Sequence, residues 1–205
     1  HFAVAGGNNE IVRILHQSNV SFSGTLQVAA LFHRNEIFRW ILENGISSLD
    51  ELHEVTGYVF HQATISSNYS IIDLCFSNNI DGIFFLLFYW TSLHFASFYN
   101  NSKIVKILLK QKNININCRT SLDFTPLHFT AIYGAVYVCN QLINYEVDSV
   151  HPVEINAADY NENTPLHYAA HHGHIEIIKC LLKVNGIDAN CKDRKGNTPL
   201  HLAAL

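Results

Sequence analysis

The sequence predicts an all-α solenoid, in which short helix pairs stack side by side around one shared core. Three observations predict it. The phrase Thr-Pro-Leu-His recurs at Thr125, Thr164 and Thr198. Copies of the phrase recur with a period close to 33 residues, a length typical of stacked supersecondary units. About ten residues after a copy comes an aliphatic set with the i, i+1, i+4, i+5 spacing of one helix face.

The histidine of each phrase marks the register along the chain. Thr91-Ser-Leu-His94 is the same phrase with Ser in place of Pro, and weaker matches continue upstream to the first residue. The markers are His1, Gln27, His61, His94, His128, His167 and His201, separated by 26, 34, 33, 34, 39 and 34 residues. This register predicts a single array over residues 1–205, divided into units 1–22, 23–55, 56–85, 86–119, 120–158, 159–192 and 193–205.

The first helix of each unit is predicted to begin at the phrase itself. Threonine at the N-cap accepts a hydrogen bond from an amide of the first turn, and proline at N1 supplies a suitable φ without the loss of an amide hydrogen bond. The small pair Ala169-Ala170 allows close packing on a neighbouring helix. The second helix presents the aliphatic stripe, for example Ile177-Ile178 with Leu181-Leu182. A single unit cannot bury both faces, so stacking must supply the core.

The end of each first helix is predicted to need a left-handed residue. Gly7, Gly134 and Gly173 fall there, and glycine adopts this conformation without steric cost. His33, Ser67 and Asn100 occupy the same position in other units, where we expect less regular turns. The turn pattern Asp-x-x-Gly-x-Thr before the first helix is intact only from Asp193 to Thr198, so the pattern predicts the hairpin geometry only there.

Two intervals depart from the period and predict differences between repeats. The interval of 39 places six extra residues around 146–154, including Pro152, which we interpret as a longer surface loop. The interval of 26 is seven residues short, so the first unit is expected to join the second by a direct turn around Asn19 to Gly24.

This phrase and period resemble the ankyrin repeat, and the resemblance covers essentially the whole chain. Residues 159–191 carry it most completely. The resemblance implies an ankyrin-repeat solenoid that acts as a non-catalytic protein–protein interaction module without a cofactor, as an adaptor or scaffold segment of a longer protein. The alternative is a regulatory or targeting segment of a larger enzyme or membrane protein whose chemistry lies outside these residues.

The resemblance also implies where a protein partner would bind: at the hairpin tips and at the two residues before the turn that ends each first helix. The helix positions include Phe98, Tyr99, Ile132, Tyr133, His171 and His172. The tip positions include Phe88, Trp90, Phe124, Tyr160, Asn161, Asn163, Arg194 and Lys195. Aromatic residues dominate the middle units, and exposed aromatics are frequent interface hot spots.

The run Ile83-Phe-Phe-Leu-Leu-Phe-Tyr-Trp90 departs most from the repeat pattern, because it occupies a hairpin expected to be polar. Leu86 stands where Asp is expected, and Tyr89 stands where Gly is expected. Three explanations are open: an apolar docking finger, a segment buried by neighbouring units, or a damaged sequence. An exposed run of this kind would favour aggregation.

At each position that could bind a metal or act as a nucleophile, a structural role explains the residue better. His167 and His171 have a spacing that can hold zinc, but His167 belongs to the repeated phrase, where the resemblance implies a structural hydrogen bond. Cys139 and Cys180 lie near the packing stripe of the second helix and are interpreted as small core or boundary residues. We therefore expect neither a metal site nor an enzyme.

Composition and charge limit the remaining classes. A hydrophobic fraction of 48% is enough to build a sizeable core. A net charge of -4 without clustered Lys or Arg argues against a nucleic-acid partner. The five cysteines form no C-x-x-C pair, which favours a reducing, cytoplasmic setting, and no apolar run approaches the ~20 residues of a membrane helix. The absence of methionine and the first residue His1 suggest an internal fragment, expected to be monomeric as a module.

Overall fold

The structure is a computed structural model that describes residues 1–44, 59, 62–77, 89–111, 114–145 and 152–205, without the side chains of 76 and 77. The chain divides into two compact units, His1–Leu86 and Leu87–Leu205. In the described residues every regular element is helical, and no β-strand is present, which confirms the all-α prediction. The prediction of one continuous array with the seven unit boundaries given above stays a prediction.

The first unit contains pairs of short helices. They are α1 (Phe2–Gly6), α2 (Asn9–Gln17), α3 (Thr25–Leu31), α4 (Asn35–Glu43) and α5 (Tyr69–Ser77), and residues 62–65 are also helical. Helix α1 packs on α3, while α2 packs on α4 and α4 packs on α5. The core of this unit is aliphatic and aromatic, with Ile37, Phe38, Ile41, Ile71 and Ile72 fully buried. A direct turn joins α2 to α3, as the short interval predicts, and the Thr25 amide donates to the Phe22 carbonyl at 3.0 Å.

The second unit consists of two rows of helices. Its elements are α6 (Ser92–Phe98), α7 (Ser102–Leu108), α8 (Pro126–Tyr133), α9 (Val136–Ile143), α10 (Pro165–His171), α11 (Ile175–Leu181) and α12 (Pro199–Ala203). Helices α6, α8, α10 and α12 pack in sequence to form the first row, and α7, α9 and α11 form the second row. The aliphatic stripe lies between the rows, where Leu127, Leu142, Ile177 and Leu181 are fully buried.

The ends of the first helices follow the predicted left-handed pattern. Gly7, Gly134 and Gly173 have φ values of 74°, 67° and 68°, and His33, Ser67 and Asn100 have φ values of 56°, 56° and 52°. The prediction is therefore correct for the non-glycine residues as well. These three residues adopt a conformation that is unfavourable for a side chain bearing Cβ, so the repeat geometry is imposed on them by the packing around the turn.

The turns before the first helices are more regular than the sequence pattern predicts. In the four turns of the second unit, the residue at the glycine position is left-handed, with φ values of 59° at Tyr89, 62° at Asp123, 64° at Glu162 and 83° at Gly196. The two turns that precede α8 and α10 thus adopt the left-handed conformation without the glycine of the sequence pattern. The loop predicted at 146–154 lies partly outside the described residues.

Candidate functional site

The buried histidines of the repeated phrase hold neighbouring repeats together in the second unit. The amide of Thr125 donates to Nδ1 of His128 at 3.0 Å, and Nε2 of His128 lies 3.1 Å from the carbonyl oxygen of Asn163. Since Nδ1 accepts from an amide, the ring proton must be on Nε2, which donates to the next repeat. Each histidine therefore caps its own helix and fixes the following hairpin.

The same arrangement repeats on either side of His128. His94 Nε2 lies 3.0 Å from the Phe124 carbonyl oxygen, and His167 Nε2 lies 3.1 Å from the Asn197 carbonyl oxygen. Capping boxes of this type begin α6, α8, α10 and α12. Both ring nitrogens of His167 are engaged by the protein, so the structure agrees with its structural role and leaves no lone pair for a metal.

The hairpin tips are joined by backbone hydrogen bonds. The Tyr160 amide donates to the Leu122 carbonyl at 3.1 Å, and the Arg194 amide donates to the Asn161 carbonyl at 3.0 Å. Within one tip, Oδ1 of Asp159 accepts the amides of Asn161 and Asn163, both at 2.8 Å. The tip residues predicted to bind a partner are consequently held in a fixed spacing along the unit.

Aromatic side chains form a continuous patch beside the first-row helices. We define the aromatic cluster as Trp90, Phe95, Phe98, Phe129 and Tyr133. The ring centroids of Trp90 and Phe129 are 4.4 Å apart, and those of Phe98 and Tyr133 are also 4.4 Å apart. Aromatic rings at these distances adopt edge-to-face or tilted packing, and these contacts stabilise the position of each ring against its neighbours.

The predicted site residues differ in how far solvent reaches them. Tyr99, Tyr133 and Tyr160 are 48%, 49% and 58% exposed. Five other predicted site residues are also exposed: His171, His172, Asn161, Arg194 and Lys195. Five more are half-buried: Phe98, Ile132, Trp90, Phe124 and Asn163. The structure brings Phe98, Tyr99 and Tyr133 together, since the Phe98 and Tyr99 rings are 4.8 Å apart.

One predicted tip residue differs from its expected position. Trp90 does not project freely from a hairpin, because its ring packs against Phe95 at 4.8 Å as well as against Phe129. Phe88 and the rest of residues 83–88 lie outside the described residues, so the three explanations for that run remain open. Tyr89, the last residue before Trp90, is exposed.

Sequence reasoning missed the residues that follow each marker histidine. Phe95, Phe129 and Tyr168 occupy this position, and all three contribute to ring contacts on the hairpin side of the first-row helices. The recurrence of an aromatic residue one position after the histidine was the available signal. The resemblance implies binding positions at the hairpin tips and at the ends of the first helices instead.

A groove lies beside α10 and α12, and we call it the polar groove after its asparagine and cationic residues, although Leu202 and Leu205 also line it. Its volume is about 410 Å³, and it is lined by residues that include Tyr168, His171, Arg194, Lys195, Asn161 and Asn163. The Phe124 ring links the two regions, because it lies 5.8 Å from the Phe129 ring and 5.6 Å from the Tyr168 ring. A series of ring contacts thus connects the aromatic cluster to Tyr168, which lines the groove.

The buried thiols are unsuited to nucleophilic chemistry. Cys118 Sγ lies 3.8 Å from His94 Nδ1, which resembles a thiol–imidazole pair. Burial, however, raises the pKa of Cys118 to about 11, and burial raises the pKa of Cys139 to about 12. A thiol with so high a pKa holds almost no thiolate at neutral pH, and the thiolate is the reactive form. Cys139 is fully buried, as predicted.

The exposed histidines form a short series at the end of α10. The His171 and His172 rings are 5.0 Å apart, and the His172 and His174 rings are 5.9 Å apart. Partial burial, with the neighbouring His171 and His174, lowers the pKa of His172. His174 Nε2 lies 3.0 Å from the Ile132 carbonyl oxygen. Within the described part of the chain, no three His, Cys, Asp or Glu side chains are grouped so that they could hold a metal ion.

Comparisons with known proteins point to the same repeat. A family profile described as ankyrin repeats in many copies matches residues 150–203, and a second profile, of ankyrin repeats in 3 copies, matches residues 60–151. The human Ankyrin repeat and SOCS box protein 3 is 47% identical to this chain over 45 residues, which is 22% of this chain and 8% of that relative. The described helices include none with the length and apolar character needed to cross a membrane.

Proposed function

This chain belongs to the ankyrin repeat family, whose members are generally non-catalytic protein–protein interaction modules, and we propose that it binds a partner protein along the surface formed by the aromatic cluster and the polar groove. The chain is then an adaptor or scaffold segment that acts in the cytoplasm as a monomeric module. In this proposal the chain binds neither a cofactor nor a nucleic acid.

The observation that carries the proposal is the set of partly exposed aromatic side chains that successive repeats of the second unit present, at the helix ends and at a hairpin tip. Tyr99, Tyr133 and Tyr160 come from successive repeats, and each is about half exposed. Their surroundings are fixed by ring contacts and by hydrogen bonds between hairpin tips. A preorganised surface binds with a small loss of conformational entropy, and aromatic residues supply large contact areas.

A second candidate follows from the coverage of the relative. The chain spans about 8% of the length of the curated relative that it matches. An ankyrin segment of this size is also compatible with a regulatory or targeting role in a larger enzyme or membrane protein. Both candidates place the binding surface on the same residues.

Site-directed photo-crosslinking tests the surface directly. A photoreactive phenylalanine at position 133 should capture a partner in an extract of the source cells, and the same protein should be captured from positions 99 and 160. The matched control is position 137: Tyr137 lies on α9 in the second row of helices and is 76% exposed.

The outcome has to depend on position. Capture from 99, 133 and 160 but not from 137 supports the proposed surface. Equal capture from position 137, or no capture from any first-row position, contradicts it. Tyr133→Ala should weaken binding of the captured protein by about 1 kcal/mol or more, as expected for truncation of an aromatic hot spot, whereas Tyr137→Ala should leave binding unchanged.

A further inference from the structure

The cationic residues at one end of the binding surface define the chemistry of the partner. Arg194 and Lys195 line the polar groove together with His171. The acidic residue in the lining is Asp193, which is buried and occupied: its Oδ1 accepts the amides of Lys195 at 2.9 Å and Asn197 at 2.7 Å. The charged groups of the lining that solvent reaches are therefore the cations Arg194 and Lys195.

The two cations differ in their surroundings. The Arg194 guanidinium lies 4.7 Å above the Tyr160 ring, and its Nε is 3.9 Å from the Glu162 carboxylate. Lys195 takes part in none of the ion pairs found in the described residues, which are Arg119–Glu154, Lys179–Glu176 and Arg194–Glu162. A lysine without a carboxylate partner can pair with an anion supplied by a ligand.

The groove also provides neutral hydrogen-bonding groups beside these cations. Asn161, Asn163 and Asn197 line it, and the Asn197 side-chain amide already donates to Oδ2 of Asp193 at 3.1 Å. Such amides can donate to carboxylate oxygens or pair with the main chain of an extended peptide. The opposite end of the same surface is apolar, because the aromatic cluster is continuous with the groove through Phe124.

Resting on the proposed function, we propose that the partner contributes an extended segment in which an apolar pair binds the aromatic cluster and carboxylates bind Lys195 and Arg194. The spacing follows from the fold. Tyr133 ends α8, Lys195 precedes α12, and α10 lies between them in the row. Packed helices lie about 8–10 Å apart, so two steps span about 16–20 Å across the row. Tyr133 and Lys195 lie at opposite ends of their helices, which adds about 12 Å along the axis and gives about 20–23 Å in all. An extended chain rises about 3.3 Å per residue, which places the acids about six or seven residues from the apolar pair, with about five or six residues between them.

A panel of labelled peptides tests this inference on the full chain. Each peptide carries a Leu-Phe pair, a Gly/Ser spacer of one to ten residues and a pair of glutamates, and binding is measured by fluorescence anisotropy at 0.15 M salt. We expect the tightest binding at spacers of about five or six residues. Replacement of the glutamates by glutamines should weaken binding at least tenfold.

The matched variants are Lys195→Glu and Lys192→Glu. Both lysines are exposed on the same hairpin segment, but Lys195 lines the groove and Lys192 is not among its lining residues. Lys195→Glu should weaken the glutamate peptide at least tenfold, and Lys192→Glu less than twofold. A peptide with lysines in place of the glutamates should bind Lys195→Glu better than it binds the unchanged chain. Circular dichroism confirms that both variants remain folded.

Several results would overturn the inference. They are equal binding of the glutamine peptides, equal losses from the two lysine variants, binding that is independent of spacer length, and a phosphoserine peptide that binds more than tenfold tighter than the glutamate peptide, which would make the ligand a phosphopeptide. None of these results changes whether position 133 crosslinks to a partner, so the inference and the proposed function fail separately.

Discussion

At the scale of single residues, His128 shows how one imidazole stabilises both its own helix and the next repeat. Burial lowers its pKa to about 4, and it is fully buried between Thr125 and the Asn163 carbonyl. A proton on Nδ1 would abolish the bond from the Thr125 amide, so the native arrangement requires the neutral ring. The capping box is consequently sensitive to acid.

The first prediction concerns this sensitivity. Between about pH 6.5 and 4 the unfolded chain binds more protons at His128 than the folded chain does, so the free energy of unfolding falls as the pH falls through this range. The loss from His128 alone is about 3 kcal/mol and is complete near pH 4. Urea unfolding from pH 7 to 4 measures it. His128→Gln should be less stable at pH 7 and should show a shallower slope. A native-state NMR titration of His128 near pH 6.5 would contradict the prediction.

A second residue-scale prediction concerns the left-handed glycines. A Cβ at Gly173 would have no heavy atom within 4 Å, whereas a Cβ at Gly134 would lie 2.9 Å from the His174 ring. Both residues have positive φ. Gly173→Ala should therefore lose about 1 kcal/mol from backbone strain alone, and Gly134→Ala should lose more because the bond from His174 to Ile132 must shift. Chemical denaturation compares the two, and equal losses would show that the His174 contact is easily relieved.

At the scale of an element, the hairpin before α10 depends on one carboxylate. Asp159 accepts two tip amides through Oδ1, and its Oδ2 accepts the Tyr168 hydroxyl at 2.6 Å. In the preceding hairpin Thr120 takes the equivalent place and accepts only the Phe124 amide through its hydroxyl, at 3.1 Å. The same backbone turn thus forms with unequal side-chain support.

The third prediction follows from that difference. Asp159→Ala removes three hydrogen bonds, all of them to a charged acceptor, and should lower the free energy of unfolding by about 2–4 kcal/mol. Tyr168→Phe removes only the hydroxyl and should lose about 1 kcal/mol or slightly more. Thermal denaturation followed by circular dichroism gives both values. Comparable losses from the two variants would mean that the tip amides are satisfied by water when Asp159 is absent.

At the scale of the whole molecule, the two compact units differ in how their helices begin. All four first-row helices of the second unit start with a threonine–histidine capping box. In the first unit α1 begins after His1 and α3 after Gly24, and neither has a side-chain cap. Capping and neighbour interfaces contribute additively to repeat stability, so the second unit should be the more stable one.

The fourth prediction tests this difference. Residues 87–205 expressed alone should fold and keep the helical content per residue of the same segment in the full chain, whereas residues 1–86 alone should unfold at a lower urea concentration. Hydrogen exchange on the full chain should show the slowest amides in α8 and α10. Slower exchange in α3 and α4 than in α8 would reverse the assigned order of stability.

The sequence by itself determined the repeat period, the starts of the first helices and the positions of the left-handed turns, because these depend on interactions among residues a few positions apart. Thr125 and His128 form their capping box within one turn, and Gly134 ends a helix through its own backbone preference. Even Tyr89, inside the anomalous apolar run, adopts the left-handed conformation that the register assigns to it.

Only the tertiary structure decided which aromatic residues remain available to a partner. Trp90 and Tyr133 both appear in the sequence as candidate binding residues, yet Trp90 packs on Phe129 while Tyr133 stays half exposed. The carbonyl that accepts from His94, His128 or His167 lies 30 to 35 residues further along the chain. The groove at Lys195 likewise combines side chains from two successive repeats. Exposure and groove shape depend on how neighbouring repeats pack. That packing joins residues that are far apart in the chain, and a local sequence pattern carries no information about such contacts.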